Sequence, residues 1–263
     1  MSTVDQRVPG PMNHAPAPGA APVAAMVAAQ ARFELKLMLG NGEQILLTLI
    51  IPVALLLGLT AVNWIDLGSG PRIDVVTPGI LALAVMSTAF TAQAISTGFD
   101  RRYGVLKLLG ATPLPRTGLV AAKTVAIIAL EVVQVAVISG IAFILGWSPH
   151  GDLAAAAVLL LAGTAAFSAL AIALAGVLRA EATLAVANGI YLLLLLVGGT
   201  VIPQDRMPSW LATVSDLLPS GALGGGLRDV LLDGSGMPWA ALGVLITWTA
   251  AAVLIAARTF KWE

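Results

Sequence analysis

The 263-residue chain has the composition of a membrane protein. It is 58% hydrophobic and 11% charged, whereas soluble domains have about 45–50% apolar and about 25% charged residues. The 14 basic and 14 acidic residues balance, so the chain lacks the basic excess of a typical nucleic-acid-binding protein. No cysteine is present, which excludes disulfides, thiolate metal sites and cysteine nucleophiles.

The N-terminal part changes character along its length. Residues 1–23 are rich in Pro, Ala and Gly without helical periodicity, which predicts a disordered tail ahead of a membrane domain at residues 24–263. Beyond this tail, Met26, Phe33 and Leu37 share one helical stripe. This pattern favours a helix lying in the membrane interface, and the alternative is a cytoplasmic extension of the first span.

Six stretches are long and apolar enough to cross about 30 Å of hydrocarbon as helices of roughly 20 residues. The first contains Pro52, which a kinked or tilted span tolerates. The sequence therefore predicts an all-α membrane protein. Its six transmembrane helices are predicted at about Ile45–Val62, Ile80–Gly98, Leu119–Leu145, Leu153–Leu178, Thr183–Ile202 and Trp239–Ala257.

The distribution of lysine and arginine predicts the orientation, because cytoplasmic loops of membrane proteins carry the excess of both. With the N-terminus inside, only Arg72, Arg206 and Arg228 lie outside. The high alanine and arginine content is typical of a GC-rich bacterium, so we expect a multi-pass protein of a bacterial plasma membrane with both termini cytoplasmic. The basic residues on the inner side are Arg7, Arg32, Lys36, Arg101, Arg102, Lys107, Arg116, Lys123, Arg179, Arg258 and Lys261.

The chain has no motif for enzymatic chemistry. The patterns G-x-x-x-x-G-K-[ST], H-E-x-x-H and G-x-S-x-G do not occur in it, so the usual sequence signals of nucleotide hydrolysis, zinc proteolysis and ester hydrolysis are missing. His150 falls in a predicted loop, and no aspartate falls inside a span. We therefore expect a chain that is not itself an enzyme and binds no metal or cofactor.

A few polar residues fall inside the predicted spans. Glu131 lies near the middle of span three, and Gln134 shares its helical face. An ionised carboxylate is costly there, so Glu131 is expected to face the bundle interior, to be protonated or to have a partner. It either contacts a substrate or a coupling proton, or makes a packing hydrogen bond worth about 1 kcal/mol between helices or across a dimer. Gln93 in span two, and Asn188 and Tyr191 in span five, present the same two alternatives.

The loop between spans two and three, residues 98–116, predicts a short amphipathic helix on the cytoplasmic side. Gly110 is a candidate C-cap, and Pro113 prevents continuation. The helix is expected to expose Val105, Leu106 and Leu109 together with charged residues, which suits the docking of a soluble partner. The alternative is an ordinary basic loop that obeys the positive-inside rule.

The connection between spans five and six is about 37 residues long, from Pro203 to Trp239, which is too long for a simple loop. Apolar residues recur at helical spacing after Pro208 and again after Pro219, where residues 224–226 (Gly-Gly-Gly) are expected to interrupt the second run. We expect two short extracellular helices that re-enter the outer half of the bundle, since irregular backbone at membrane depth must be buried in protein.

Four segments of the chain together have a recognisable pattern. They are Arg32-Phe33-Glu34 through Pro52, Asp100-Arg101-Arg102-Tyr103-Gly104 through Leu109-Gly110-Ala111-Thr112-Pro113, Pro203 with Met207-Pro208-Ser209-Trp210-Leu211, and Leu218-Pro219 with Gly226-Leu227-Arg228. In these segments the chain resembles the permeases of type-2 ABC exporters, a family that includes bacterial drug and antibiotic efflux permeases and polysaccharide and lipid-linked exporters. Asp100 stands where glutamate is usual in that family, and Val105 where Ser or Thr is common.

The resemblance implies a separate cytoplasmic subunit that binds ATP and Mg²⁺, and a second permease, identical or homologous, within the lipid bilayer. It also implies a substrate path at the interface between the two permeases, lined mainly by spans two and five. The residues implied in coupling to the ATP-binding subunit are Asp100, Arg101, Tyr103, Gly104, Lys107, Gly110, Thr112 and Pro113. Those implied in closing the extracellular end are Pro203, Trp210, Leu218, Pro219 and Arg228.

Three other functions are compatible with a bundle of this kind. An importer permease would carry E-A-A-x-x-x-G in a cytoplasmic loop; Glu181-Ala182-Thr183 begins similarly, but Ala187 occupies the glycine position. A lipid-modifying membrane enzyme would need clustered acidic or histidine residues at one interface. A non-transporting member of a complex would share only the fold. The acidic residues available to an enzyme at the outer interface are the scattered Asp66, Asp74, Asp205 and Asp216.

Overall fold

The computed structural model describes residues 19–62, 70–201 and 203–259, and every regular element within these ranges is helical. The all-α prediction is confirmed for this part of the chain, whereas residues 1–18 of the expected disordered tail lie outside it. The α-helices are α1 (Val23–Gly40), α2 (Gly42–Ile45), α3 (Ile51–Ala61), α4 (Arg72–Val85), α5 (Gln93–Arg102), α6 (Val105–Gly110), α7 (Arg116–Ile144), α8 (Leu153–Val177), α9 (Ala180–Val197), α10 (Ser209–Leu217), α11 (Pro219–Leu231) and α12 (Trp239–Thr259).

Five helical segments in the described ranges are long and apolar enough to cross a membrane, and they correspond to predicted spans two to six. The region of predicted span one is helical as well, but its apolar helix is shorter and covers Thr48–Ala61. Asn41, in an extended conformation, separates α1 from α2, so α1 is not a straight continuation of that region. The five long segments are Arg72–Arg102, Thr117–Ile144, Leu153–Val177, Ala180–Val197 and Trp239–Thr259.

Span two is longer than predicted, because its helix begins at Arg72 and not at Ile80. Two polar residues in the additional turns are satisfied locally. Asp74 Oδ1 accepts a hydrogen bond from the Ser148 amide at 3.0 Å, and Thr77 Oγ1 donates to the Ile73 carbonyl at 2.6 Å. The hydropathy pattern underestimates the span because it counts these side chains as polar without their partners.

The same span forms the centre of the bundle. Of its most apolar stretch, 89% is buried within the protein, against 11% for α12. It packs against α3, α7, α8, α9 and α11, and the rings of Phe90 and Phe167 lie 6.4 Å apart at the contact with α8. The helices around it therefore turn broad apolar surfaces outward, as helices in contact with lipid do.

Two π-helical segments interrupt the α-helical pattern, Leu46–Ile50 between α2 and α3 and Met86–Ala92 between α4 and α5. A π turn is wider than an α turn and leaves backbone groups whose hydrogen bonds must be completed by other atoms. The two segments lie against each other within the bundle. Both departures from the α-helical hydrogen-bond pattern therefore occur at one place.

The described part of the connection between spans five and six contains the α-helices α10 and α11, preceded by a short 3-10 helix at Gln204–Arg206. The glycine triplet does not interrupt α11, and that prediction is wrong. A Cβ atom on Gly226 would lie 3.1 Å from Ala241 Cβ and 3.3 Å from Leu159 Cδ1, so the missing side chain lets α8 and α12 pack closely on α11. Nearly all of α11 is buried, between α4, α8 and α12.

Candidate coupling and transport site

The chain turns sharply after span two and forms the short helix α6. Gly104 precedes this helix with a φ of 74°, a left-handed conformation that glycine adopts without strain. Gly110 is the last residue of α6 and Ala111 is the C-cap, so the prediction of Gly110 as the cap is wrong by one position. Thr112 lies just beyond the cap, where its amide and its hydroxyl both donate to the Leu109 carbonyl, and Pro113 follows.

The exposed surface of α6 differs from the one predicted. Leu106 is buried at 4% exposure, while Val105 and Leu109 are half-buried, because this face turns toward the bundle. Leu108 and Tyr103 are instead 73% and 70% exposed. The docking tip, which we define as Tyr103, Lys107, Leu108, Thr112 and Pro113, is exposed throughout.

Asp100 belongs to the end of α5 and points toward the bundle, away from the docking tip. Its Oδ2 atom lies 2.7 Å from Lys123 Nζ, and Glu34 Oε2 lies 3.1 Å from the same nitrogen. Lys123 is only 4% exposed, and Gln30 Nε2 donates to the other Glu34 oxygen at 2.9 Å. This charge cluster of Glu34, Asp100 and Lys123 joins α1, α5 and α7 immediately behind the docking tip.

Arg101 is also turned inward, onto the end of α8. Its guanidinium donates to the carbonyls of Ala175, Gly176 and Leu178 at 2.8, 2.6 and 3.1 Å. The last carbonyls of a helix have no partner within the helix and carry partial negative charge, so a cation satisfies them well. Asp100 and Arg101 thus hold the base of α6 in place, a role that the sequence did not indicate.

Gln134 bridges the two π-helical segments. Its Nε2 donates to the Thr48 carbonyl at 2.5 Å, and its Oε1 accepts from Thr88 Oγ1 at 3.0 Å. Thr48 lies in the first π segment and Thr88 in the second, so one side chain satisfies polar groups of both. These bonds favour the packing role for Gln134.

The other polar candidates do not converge on one site. Glu131 Oε2 accepts from Thr164 Oγ1 at 2.5 Å, while its Oε1 and both amide atoms of the buried Gln93 have no hydrogen-bond partner among the described residues. Asn188 is exposed on α9 and Tyr191 is half-buried. The structure therefore places Gln93 and Glu131 inside the helix bundle and Asn188 on its surface.

Replacing Gln134 by leucine is expected to lower the free energy of unfolding by about 1–2 kcal/mol, because two interhelical hydrogen bonds in the membrane are lost. The matched control is Glu131→Gln, whose amide oxygen still accepts the Thr164 hydroxyl proton and which should change stability little. Equilibrium unfolding in mixed detergent micelles measures both variants. Equal stability of Gln134→Leu and the unchanged protein would contradict the bridging role.

At the end of the bundle opposite α6, Arg228 fastens the turn that follows α9. It is 6% exposed, and it donates to the Gly199 and Thr200 carbonyls, each at 2.6 Å. Gly199 has a φ of 65°, and a Cβ atom on Gly79 of α4 would lie 1.9 Å from the Thr200 oxygen. Gly79 is therefore required where this turn crosses span two.

The remaining residues predicted to close the outer end occupy different environments. Pro203 and Pro219 are buried, and Leu218 is half-buried. Trp210 is 68% exposed on α10. Gln204, which the sequence did not single out, donates from Nε2 to Ser215 Oγ at 3.3 Å, Asp216 Oδ1 at 3.0 Å and the Gly221 carbonyl at 3.1 Å, so it ties the segment after α9 to α10 and α11.

A cleft of about 460 Å³ lies between α8, α9 and α12 and reaches inward to Phe90. Its walls are apolar throughout and include Leu174, Ile190 and Trp248, with Leu218 and Pro219 where α10 meets α11. Such a lining suits hydrophobic groups and offers no charge to an ion or a sugar.

Comparison with known proteins agrees with this architecture. A family model described as "ABC-2 type transporter" matches residues 27–232. The chain is also similar to ABC transporter G family member 20 of Dictyostelium discoideum, with 27% identity over 191 residues, or 70% of this chain. The match covers 26% of that relative, so the chain spans about a quarter of its length. Together with the five apolar helices, these matches describe a multi-pass membrane protein.

Proposed function

Because the chain belongs to the ABC-2 type transporter family as a type-2 ABC permease, we propose that it moves a hydrophobic or amphiphilic compound out of the cytoplasm. A drug, an antibiotic or a lipid-like molecule fits this description. A separate cytoplasmic subunit binds and hydrolyses ATP with Mg²⁺, and the permease alternates between inward-open and outward-open states.

The observation that carries the proposal is the exposed docking tip next to Asp100 and Arg101, which are bonded to other helices. Tyr103 and Leu108 offer exposed apolar surface, with Lys107 beside them. Aromatic residues such as Tyr103 are enriched in protein interfaces, and charged residues such as Lys107 belong to their polar rim. Behind them, Asp100 and Arg101 are bonded to α7 and α8. A force applied at the tip is therefore transferred to three other helices through hydrogen bonds and ion pairs.

The compound crosses at an interface with a second, identical or homologous, permease. The exposed polar residues of α9 are Glu181, in its first turn, and Asn188. The rest of its exposed face is apolar, with Leu192, Leu193 and Leu196 on its surface. A face of this kind supports either lipid contact or pairing with a second copy. The apolar cleft beside α9 adds a surface that accepts hydrophobic groups.

The outer end closes through the segment that Arg228 and Gln204 hold together. Pro203, Trp210, Leu218 and Pro219 belong to the same segment, and its irregular backbone is buried in protein as membrane depth requires. The docking tip lies on the cytoplasmic side of a bacterial plasma membrane with both termini inside. The exposed Phe33 and Leu37 of α1 then rest in the membrane interface.

Substituting both Tyr103 and Leu108 with alanine is expected to lower recovery of the ATP-binding subunit about thirty-fold, because exposed anchors of this kind contribute about 1 kcal/mol each to binding. The permease is purified from its native membrane, and the subunit is identified by its P-loop and by ATP hydrolysis. The matched control is Ile144→Ala, at the other end of the bundle and 86% exposed. Undiminished recovery by the double variant would overturn the docking role.

The direction of transport has its own experiment. Inside-out vesicles that contain the permease and its ATP-binding subunit should accumulate a hydrophobic dye when ATP is added, and right-side-out vesicles should not. The reverse pattern would favour an importer. Modification of a lipid by the isolated permease would instead favour a membrane enzyme.

A further inference from the structure

A second cavity, of about 360 Å³, lies at the end of the bundle where α5 meets α9. Three arginines and one glutamate line it, namely Arg101, Arg102, Arg179 and Glu181, together with Gly98 and Ala180. We refer to it as the arginine pocket. Its charge is unusual in a chain whose basic and acidic residues balance.

The three arginines of the pocket are not equally neutralised. Arg101 faces the carbonyls at the end of α8, and Arg102 forms an ion pair with Glu181. Arg179 is exposed and forms no ion pair with any residue that the structure describes. The pocket therefore keeps an excess of positive charge, concentrated on the side formed by Arg179.

The backbone around Arg179 adds to this excess. Arg179 is the N-cap of the 18-residue helix α9, and no side chain caps the helix there. The first amides of α9 therefore have no acceptor in a side-chain cap, and the helix dipole favours an anion at the same place. Glu181 in the first turn of α9 offsets part of this charge, but it is paired with Arg102. The charge of Arg179 and the partial charge of the backbone amides therefore both favour an anion.

The surface next to the pocket is apolar and belongs to the membrane-spanning part of the protein. Val177, just before the pocket, is 56% exposed, and Leu184, one turn into α9, is 42% exposed. The apolar cleft between α8, α9 and α12 also reaches Val177 and Leu178. An anion that binds at the pocket can therefore carry hydrocarbon chains that lie along this surface.

We propose that the arginine pocket binds the phosphate group of an anionic phospholipid from the leaflet at this end of the bundle. The phosphate lies between Arg102 and Arg179, and the acyl chains follow the apolar surface of α8 and α9. Basic pockets between transmembrane helices recognise lipid headgroups in this way. The site does not depend on the transport function proposed above.

The test uses the full-length protein in detergent micelles with spin-labelled phosphatidylglycerol and phosphatidylcholine as probes. The unchanged protein should prefer phosphatidylglycerol, and added salt should weaken the preference because it screens exposed charges. Arg179→Gln should weaken phosphatidylglycerol binding about five-fold, and the double variant Arg102→Gln/Arg179→Gln should abolish the preference. Phosphatidylcholine binding should change little in either variant.

The control variant is Lys36→Gln/Arg258→Gln, which removes two exposed positive charges outside the pocket. Retained preference in this control, with loss in the pocket variants, supports the site. Equal loss in the control, or full preference in Arg179→Gln, would overturn it. Displacement of the lipid by an equal concentration of inorganic phosphate would assign the pocket to free phosphate and overturn the lipid proposal. Arg179→Gln keeps the test informative if the double variant does not fold, because it leaves Arg102 paired with Glu181.

Discussion

Substitution of Lys123 by methionine is expected to lower the free energy of unfolding by about 3 kcal/mol. This loss should exceed the loss caused by substituting any exposed charged residue of the protein. The change leaves the carboxylates of Glu34 and Asp100 without their shared cation. Removing one partner of a buried ion pair typically costs about 3–5 kcal/mol, and the lower end applies because the Asp100 side chain is 27% exposed. Equilibrium unfolding in mixed micelles measures the loss.

The triple variant Glu34→Gln/Asp100→Asn/Lys123→Met separates the ion pairs from the shape of the site. It removes all three charges and keeps the side chains of similar size, so it should recover most of the stability that Lys123→Met loses. If the triple variant is no more stable than Lys123→Met, packing around the lysine stem, and not charge, holds α1, α5 and α7 together.

The second large effect is expected for Arg228→Ala, with a loss of about 3 kcal/mol in the free energy of unfolding. Two charge-assisted hydrogen bonds disappear, and the buried carbonyls of Gly199 and Thr200 lose these donors. Thermal unfolding in detergent measures the loss. Limited proteolysis of the segment after α9 should also become faster, because this turn then loses its hydrogen bonds to α11.

Arg228→Lys provides the graded comparison, since one ammonium reaches two diverging carbonyls less well than a planar guanidinium does. It should fall between Arg228→Ala and the unchanged protein. Arg206→Ala, in the same connection but exposed, is the matched control, and its change should stay within about 0.5 kcal/mol. Equal effects of Arg228→Ala and Arg206→Ala would mean that Arg228 does not fasten the turn.

The long spans could be predicted from the sequence because each is a continuous apolar run, and hydropathy depends only on neighbours in the chain. The start of span two could not. Asp74 and Thr77 interrupt the apolar run, and the bond from Asp74 to Ser148 joins residues 74 positions apart. The hydropathy pattern of neighbouring residues does not show such distant hydrogen-bond partners. A buried, hydrogen-bonded polar side chain therefore cannot be told from an exposed one in the sequence.

The candidate site also has features that the sequence predicted and features that it did not. The short helix after span two was predictable from its apolar residues, from Gly110 and from Pro113. The inward roles of Asp100 and Arg101 were not, since their partners are 23 and about 75 positions away. The glycine triplet was misjudged for a related reason, because in a buried helix the close approach of neighbours outweighs the weak helix propensity of glycine.

The π turns in span two change which residues share a face. Each residue of an α-helix is rotated by about 100° from the one before it, so an extra residue accommodated in a wide turn offsets one half of the span from the other. Helical periodicity counted from Arg72, at 3.6 residues per turn, therefore assigns Asp100 to the wrong face of the helix. Removing a single residue from Met86–Ala92 would rotate Asp100 away from Lys123 and Arg101 away from the end of α8 at the same time. None of the residues that form these contacts would itself be changed.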